Sequence, residues 1–131
     1  MSDPVSVSSA ATRLLIVEDN PINQKLAERA LLRLGFQADV TNDGREAVEA
    51  VKQTRYALIL MDCMMPEMDG YAATRAIRAL GGEASSVPIV AFTADKTAGT
   101  RERCLEAGMN DYLNKPLNLD LLRDAIDRWT A

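Results

Sequence analysis

Five polar side chains that follow apolar segments of this sequence could together handle a phosphoryl group. Glu18 and Asp19 come directly after one apolar segment, and Asp62 comes directly after another. Thr93 ends a third segment, and Lys115 lies just beyond a fourth. If these segments are strands of one parallel sheet, their carboxyl ends meet at one edge, where such sheets bind ligands. The sequence then predicts a site of three acids, one hydroxyl and one amine.

The chemistry open to such a site follows from its residue types. Carboxylates that lie close together repel one another at neutral pH unless a cation lies among them. Oxygen ligands without histidine or cysteine favour a hard cation, and Mg²⁺ is the expected one. The amine of Lys115 can pair with a phosphate, and the hydroxyl of Thr93 can donate a hydrogen bond to it. An aspartate can itself be the nucleophile that forms an acyl phosphate.

Each of these residues also has a purely structural interpretation. The first two acids could cap the helix that follows them. Taken alone, Thr93 is typical of a strand end and Lys115 of a protein surface. Asp62 is harder to explain in this way, because no helix is predicted to begin before Asp69. The joint pattern, with a polar group at one strand end after another, favours a functional site.

The composition narrows the chemistry further. The 131 residues, 47% hydrophobic and 26% charged, are ordinary for one globular domain. The absence of histidine excludes Ser-His-Asp and Cys-His catalysis and any histidine metal ligand. A net charge of −4 argues against binding to nucleic acid or to an anionic membrane. The two cysteines, Cys63 and Cys104, are expected to be free thiols in a reducing compartment, with Cys63 packed in the core.

Five apolar segments alternate with five helical patterns along the chain. Strands are predicted at residues 14–17, 38–41, 57–61, 88–92 and 111–113. Helices are predicted at 21–34, 44–53, 70–80, 97–106 and after residue 118, and the fourth has weak intrinsic propensity. Their expected caps are Asn20, Asp69 and Asn118. The first helix is expected to turn one apolar face inward, formed by Ile22, Leu26, Ala27, Ala30, Leu31 and Leu34. The inward face of the last helix is expected to comprise Leu122, Ala125, Ile126 and Trp129.

The alternation of strands and helices determines the fold class. Parallel strands need crossover connections, and right-handed crossovers place helices on both faces of the sheet. The sequence therefore predicts a doubly wound α/β domain over residues 12–131, although periodicity alone does not give the strand order. Residues 1–11 are small and polar and are predicted to be a disordered lead-in or linker.

Four segments of the sequence closely resemble the signature segments of receiver domains of two-component response regulators. They are LLIVEDN, LILMDCMMPEMDG, PIVAFTA and DYLNKP, and the similarity runs from about Arg13 to Trp129. The resemblance implies a flavodoxin-like, five-stranded parallel sheet with strand order 2-1-3-4-5 and helices on both faces. It also implies a phosphorelay function, in which the domain takes a phosphoryl group from a phosphohistidine.

The resemblance assigns a role to each acid of the site. Asp62 corresponds to the phosphoryl-accepting aspartate. The expected Mg²⁺ ligands are Asp19, Asp62 and the backbone carbonyl of Met64, with Glu18 acting through water. Such a domain would catalyse its own aspartyl phosphorylation and dephosphorylation without being a stand-alone enzyme. Pro66 and Gly70 are expected to shape the loop through which metal and phosphoryl donor approach.

The resemblance also implies how the domain switches. Thr93 and Lys115 correspond to groups that contact the phosphoryl oxygens, and the bond between Lys115 and Pro116 is expected to be cis. Tyr112 corresponds to the switch aromatic that moves together with Thr93. The helix at 97–106 is expected to shift when Asp62 is phosphorylated, because its low propensity makes it easy to displace.

The expected partner is a histidine kinase domain or a histidine phosphotransfer protein, since the chain has no histidine of its own to donate a phosphoryl group. The segments VEDNPINQKLA and MDCMMPEMDG most resemble receivers of hybrid sensor histidine kinases, which implies a cytoplasmic domain without direct membrane contact. A stand-alone single-domain regulator is an alternative. An Mg²⁺-dependent aspartyl phosphatase is another, but such enzymes carry a second aspartate where this chain has Met64. A degenerate receiver that only binds a partner is a third, and the complete acid set argues against it.

Overall fold

A five-stranded parallel sheet forms the centre of the molecule, and its strand order is β2-β1-β3-β4-β5. The computed structural model describes residues 13–65, 68–94 and 98–130. The observed strand order is the one that the resemblance to receiver domains implied. The strands are β1 Arg13–Val17, β2 Gln37–Thr41, β3 Leu58–Met61, β4 Ile89–Thr93 and β5 Asp111–Asn114.

Helices connect successive strands. They are α1 Pro21–Arg33, α2 Gly44–Gln53, α3 Gly70–Arg78, α4 Thr100–Ala107 and α5 Leu119–Thr130, with one 3-10 turn at Glu83–Ser86. The side chains of Asn20, Asp69 and Asn118 accept hydrogen bonds from backbone N–H groups at the starts of α1, α3 and α5, which confirms the three predicted caps. The predicted start of the fourth helix at residue 97 lies outside the described residues, and α4 begins at Thr100.

Each face of the sheet carries its own apolar core, as expected when successive strand residues alternate between faces. On one face, β-strand residues such as Ile59 and Met61 pack with α2, α3 and α4 through Ala47, Ala73, Ile77 and Cys104. On the other, strand residues such as Leu58 and Leu60 pack with α1 and α5 through Ala27, Leu31, Leu122 and Ile126. Helices therefore cover both faces, as the alternation predicted. None of the helices within the described ranges is long and apolar enough to cross a membrane.

The inward face predicted for α1 is partly wrong. Ala27, Ala30 and Leu31 are buried, but the side chain of Ile22 is 70% exposed and that of Leu26 is 54% exposed. Successive residues lie about 100° apart around a helix, so Leu26 cannot share a buried face that is centred on its neighbour Ala27. The apolar stripe read from the sequence is wider than the surface that the sheet covers.

Two residues of the last helix, α5, bind the amino end of strand β5. The indole Nε1 of Trp129 donates to the carboxylate of Asp111 over 2.9 Å, and the guanidinium of Arg128 donates to the same oxygen over 2.6 Å. Asp111 is the first residue of β5, so Trp129 lies at the amino ends of the strands. It therefore packs at the end of the sheet remote from Asp62, which follows the carboxyl end of β3.

The start of α3 is pressed against the end of β3, and this contact requires glycine. A Cβ atom on Gly70 would lie 2.3 Å from the carbonyl oxygen of Asp62 and 2.9 Å from the Cα of Cys63. The N–H of Gly70 donates to the carbonyl of Cys63 over 3.2 Å. Gly70 therefore shapes the connection after Asp62 by permitting this close approach, whereas Pro66 lies outside the described residues.

Replacing Gly70 by alanine should lower the free energy of unfolding by about 2–3 kcal/mol, because backbone atoms of β3 must move to admit the methyl group. Urea unfolding followed by circular dichroism measures the loss. Gly35→Ala is the control, since that position has a φ of +93° but no atom within 4 Å. It should cost only the strain of a left-handed backbone, about 1 kcal/mol. A Gly70→Ala protein as stable as the wild type would contradict the close contact.

Candidate functional site

Three carboxylates meet where β1 and β3 end. The two strands are paired, with Val17 opposite Met61, so Glu18 and Asp62 follow neighbouring strand ends. One carboxylate oxygen each from Glu18, Asp19 and Asp62 lies within 4.8 Å of the others. The clustering predicted from the sequence is therefore confirmed. Glu18 and Asp62 are buried, whereas Asp19 faces solvent.

Lys115, which directly follows the edge strand β5, brings a positive charge into this cluster. Its Nζ lies 2.8 Å from Oε1 of Glu18 and 3.4 Å from Oδ2 of Asp62. The backbone N–H of Lys115 donates to the carbonyl of Thr93 over 2.8 Å, and the bond between Lys115 and Pro116 is cis as expected. The ammonium group thus neutralises part of the charge that crowding the acids creates.

Backbone groups fix the orientation of the two buried acids. The N–H of Asn20 donates to Oε2 of Glu18 over 3.1 Å, and the N–H of Met64 donates to Oδ1 of Asp62 over the same distance. Asp62 is itself anchored, because its N–H donates to the carbonyl of Val17 over 3.0 Å. Each buried carboxylate therefore presents one oxygen to a backbone donor and the other to Lys115.

The surroundings shift the pKa values of Glu18, Asp62 and Lys115 in different directions. Burial raises the pKa of Asp62 to about 6, and the charge of Glu18 adds to the rise against the N–H of Met64 and the amine of Lys115. Burial also favours neutral Glu18, but hydrogen bonds from Lys115 and Asn20 outweigh it and lower the pKa of Glu18. The pKa of Lys115 is raised, because Glu18 and Asp62 outweigh the effect of its burial. Glu18 and Lys115 thus form the ion pair of the site, and Asp62 is the more basic of the two buried carboxylates.

Thr93 and Tyr112 line the adjoining part of the same edge. Thr93 is the last residue of β4 and is fully buried. Tyr112, on β5, is half-buried, and its hydroxyl accepts a hydrogen bond from Nδ2 of Asn114 over 2.7 Å. Thr93 thus ends the strand next to β3, and Tyr112 lies one strand further, opposite Ala91. Their roles as phosphoryl contact and switch aromatic stay predictions. The side chain of Met64 is 64% exposed next to Asp62, and ligation by its carbonyl stays a prediction.

Sequence reasoning missed one residue that supports the site. Nε2 of Gln24 donates to the carbonyl of Glu18 over 2.6 Å and to Oδ1 of Asn42 over 2.7 Å. Gln24 lies on the first turns of α1 and ties together the segments that follow β1 and β2. Asn42, which directly follows β2, completes this bridge. A polar residue on a helix surface gives no sequence signal of such a contact.

An apolar surface borders the site on the side of α1 and α5. A cavity of about 300 Å³ is lined by Leu26, Phe92, Pro116 and Leu117, together with Asn23 and Lys115. The exposed side chain of Ile22 lies one helical turn before Leu26. Lys115 therefore links the acidic cluster to a surface that could receive an apolar partner.

Removing the charge of Asp62 should stabilise the fold when divalent cations are chelated. A folded-state pKa of about 6, above the unfolded value of 3.8, means that neutral Asp62 favours folding. This contribution is complete below pH about 4 and is lost as the pH rises through about 6. Asp62→Asn cannot ionise and should therefore be more stable than the wild type by about 1–2 kcal/mol at pH about 7.5.

Urea unfolding in the presence of a chelator, repeated between pH about 4 and about 8, measures this difference. The exposed Asp124→Asn variant is the control and should show no gain that grows with pH. An Asp62→Asn protein that is less stable than the wild type at neutral pH would contradict the proposed electrostatics.

Comparisons with known proteins agree on one kind of domain. The family model of the response regulator receiver domain matches residues 14–127. The chain is 44% identical over 127 residues to the sensor protein GacS of Pseudomonas syringae pv. syringae, covering 95% of this chain and 14% of that protein. Across the curated relatives compared, the chain spans only 6% to 16% of their length.

Solved structures give the same picture. The receiver domain of the sensor histidine kinase PA1611 from Pseudomonas aeruginosa PAO1, which has a magnesium ion coordinated in its active-site cleft, is 47% identical with a TM-score of 0.84. That comparison covers 92% of this chain and 98% of the other. The receiver domain of Ssk1 from Saccharomyces cerevisiae, crystallised with the histidine phosphotransfer protein Ypd1, is 34% identical with a TM-score of 0.81, covering 91% of this chain and 88% of the other.

Proposed function

This chain belongs to the family of response regulator receiver domains, and from that premise we propose that Asp62 accepts a phosphoryl group from a phosphohistidine. The geometry around Asp62 is the observation that carries the proposal. A buried carboxylate with a raised pKa stands at a strand end, with Lys115 at 3.4 Å and two further acids beside it. Purely structural acids rarely combine these features, since burial and mutual repulsion both cost stability.

The transfer proceeds by nucleophilic displacement at phosphorus. A carboxylate oxygen of Asp62 attacks the phosphorus atom, the N–P bond of the phosphohistidine breaks, and the imidazole leaves with the bonding electron pair. The product is an aspartyl phosphate, and Lys115 is placed to pair with one of its oxygens. Lys115 must exchange its contact with the Asp62 carboxylate for one with the phosphoryl group, and its pairing with Glu18 keeps it within reach. Thr93 would donate its hydroxyl to a second oxygen.

The acidic cluster fits Mg²⁺. Its donors are carboxylate oxygens alone, they gather within 4.8 Å, and one of them faces solvent, as suits an ion that keeps several waters. Asp19 and Asp62 would bind the ion directly, with the carbonyl of Met64 as a third ligand and Glu18 acting through water. Bound there, Mg²⁺ supplies the positive charge that brings an anionic phosphoryl group up to an anionic nucleophile. The ion coordinated in the PA1611 receiver supports this assignment.

Phosphorylation is proposed to act on Thr93, Tyr112 and α4. A phosphoryl group on Asp62 adds negative charge and acceptor oxygens beside Thr93. Movement of Thr93 toward them would free space for the half-buried ring of Tyr112. The neighbouring α4 is easily displaced, because it is short and its N-cap Gly99 makes no side-chain hydrogen bond. The result is a shift in a conformational equilibrium.

The physiological setting is proposed to be the receiver of a hybrid histidine kinase, with a stand-alone regulator as the alternative. Its partner would be a histidine kinase domain or a histidine phosphotransfer protein, as in the complex of Ypd1 with the Ssk1 receiver. A cytoplasmic location agrees with Cys63 and Cys104, which are both free thiols. The apolar surface formed by Ile22, Leu26 and Leu117 is the proposed docking face, since a partner there brings its histidine close to Asp62.

Incubation with acetyl phosphate and Mg²⁺ should add the mass of one phosphoryl group to the intact protein, and Asp62→Asn should abolish the gain. Asp19→Ala should raise the Mg²⁺ concentration that gives half-maximal labelling by more than about tenfold, because it removes a direct metal ligand. Intact-protein mass spectrometry measures the gain, and circular dichroism verifies that both variants are folded. Phosphorylation of Asp62→Asn at the wild-type level would refute the acceptor assignment.

Leu26→Glu should slow phosphoryl transfer from a phosphorylated histidine phosphotransfer domain by about tenfold, because a charge would be buried in the docking face. Labelling from acetyl phosphate should not change, since the small donor needs no docking surface. The matched control is Leu32→Glu on the same helix, a position that is 58% exposed and not part of the cavity beside Lys115. Equal slowing by both variants, or slowing with the small donor, would contradict the docking face.

A further inference from the structure

The only two cysteines of the chain meet in the core beside the phosphoryl acceptor. Cys63 follows Asp62 directly, and Cys104 lies in the middle of α4, yet their Sγ atoms are only 3.9 Å apart. Both side chains are fully buried and both are free thiols. Core packing explains why two small apolar groups lie here, but it does not require two sulfurs in contact.

The distance is short enough for a bond after a small movement. A disulfide has a sulfur–sulfur distance of about 2.05 Å, so the two atoms must approach one another by about 2 Å. The two residues are 41 positions apart in the sequence. A bond between them would therefore join two separate elements, the end of β3 and helix α4.

One of these two elements is rigid and the other is weakly held. Cys63 is fixed by the close contact of Gly70 with its backbone. Helix α4 has only eight residues, its N-cap residue Gly99 offers no side-chain cap, and its buried residues are Thr100, Cys104 and Ala107. Small buried side chains contribute little hydrophobic stabilisation, so α4 can open and close locally while the rest of the domain stays folded. Opening exposes the thiols to an oxidant, and closing brings the two sulfurs together again.

We propose that Cys63 and Cys104 form a reversible intramolecular disulfide that fastens α4 to the end of β3. The oxidant is a hydroperoxide. Once opening of α4 exposes it to water, one thiol ionises and its thiolate attacks the O–O bond, forming a sulfenic acid and releasing one oxygen as water or alcohol. The second thiol then attacks that sulfur and expels the other oxygen as water. In sum, the two sulfurs lose two electrons and two protons, and the peroxide is reduced.

The consequence for signalling rests on the proposed function. If phosphorylation of Asp62 acts by shifting α4, then the disulfide holds that helix in its unphosphorylated position. The domain could still accept a phosphoryl group but would not relay it. Disulfides in reducing compartments are typically transient and redox-sensing, which suits a bond of this kind.

The full chain is treated with hydrogen peroxide under native conditions, denatured, and alkylated with N-ethylmaleimide. We expect a mass loss of two hydrogens with no maleimide added, reversal by dithiothreitol, and a peptide map that joins residues 63 and 104. Cys63→Ala and Cys104→Ala are the controls and should form no intramolecular bond. A peroxide-treated wild-type protein that takes up two maleimides, or that only forms dimers through single cysteines, overturns the proposal.

A second measurement tests whether α4 is the element that opens. Glu102→Gly weakens α4 at an exposed position and should speed disulfide formation about fivefold, since glycine disfavours helix. Lys25→Gly weakens α1 at an exposed position and is the matched control. Equal acceleration by both variants would mean that oxidation proceeds through global unfolding, which overturns the role of α4.

Hydrogen exchange separates this proposal from the proposed function. Beryllofluoride, a phosphoryl mimic, should change protection in α4 of the reduced protein and leave α4 of the oxidised protein unchanged. If beryllofluoride does not change protection in α4 even in the reduced protein, the proposed switch is wrong, whereas the disulfide is still tested independently by the mass measurement. If α4 responds equally in both forms, the disulfide does not restrain the helix and the proposed restraint is overturned.

Discussion

Repulsion among three carboxylates is the constraint on which the site depends. Glu18, Asp19 and Asp62 are brought within 4.8 Å of one another by the ends of two paired strands, and like charges at that distance cost energy unless positive charge is near. Lys115 relieves part of the cost at 2.8 Å from Glu18. Burial, to which the charge of Glu18 adds, raises the pKa of Asp62 to about 6, and Asp62 is also the nucleophile of the proposed reaction.

The fold holds these three carboxylates in place despite their repulsion. The four residues of β3 are all buried, and the strand continues directly into Asp62. Gly70 lets α3 close against the same backbone, and Gln24 ties the chain segments that follow β1 and β2. Apolar burial on both faces of the sheet thus stabilises the domain enough to offset the repulsion among the acids at one edge. Asp62 cannot relax away from its neighbours without disturbing the core.

The sequence predicted what depends on local pattern and on strand ends. The five strands, the helix caps at Asn20 and Asp69, and the gathering of the acids all follow from alternation and from where polar residues interrupt apolar runs. It did not predict contacts that depend on exact angular placement. Leu26 reads as core because leucine fits a helical stripe, yet it is 54% exposed because the sheet does not extend beneath it. The bridge made by Gln24 and the pairing of Lys115 with Glu18 depend on side-chain reach across elements, which no spacing rule encodes.

The ion pair between Lys115 and Glu18 also has a consequence for biosynthesis. Its partners are 97 residues apart, so the first strand end of the domain and its last strand end must both be present before the cluster acquires its counter-charge. A nascent chain that has emerged from the ribosome only as far as β4 carries the acids without the amine. Contacts of such long sequence separation form late in folding. The charge balance of the site is therefore completed only when synthesis of the domain has passed β5.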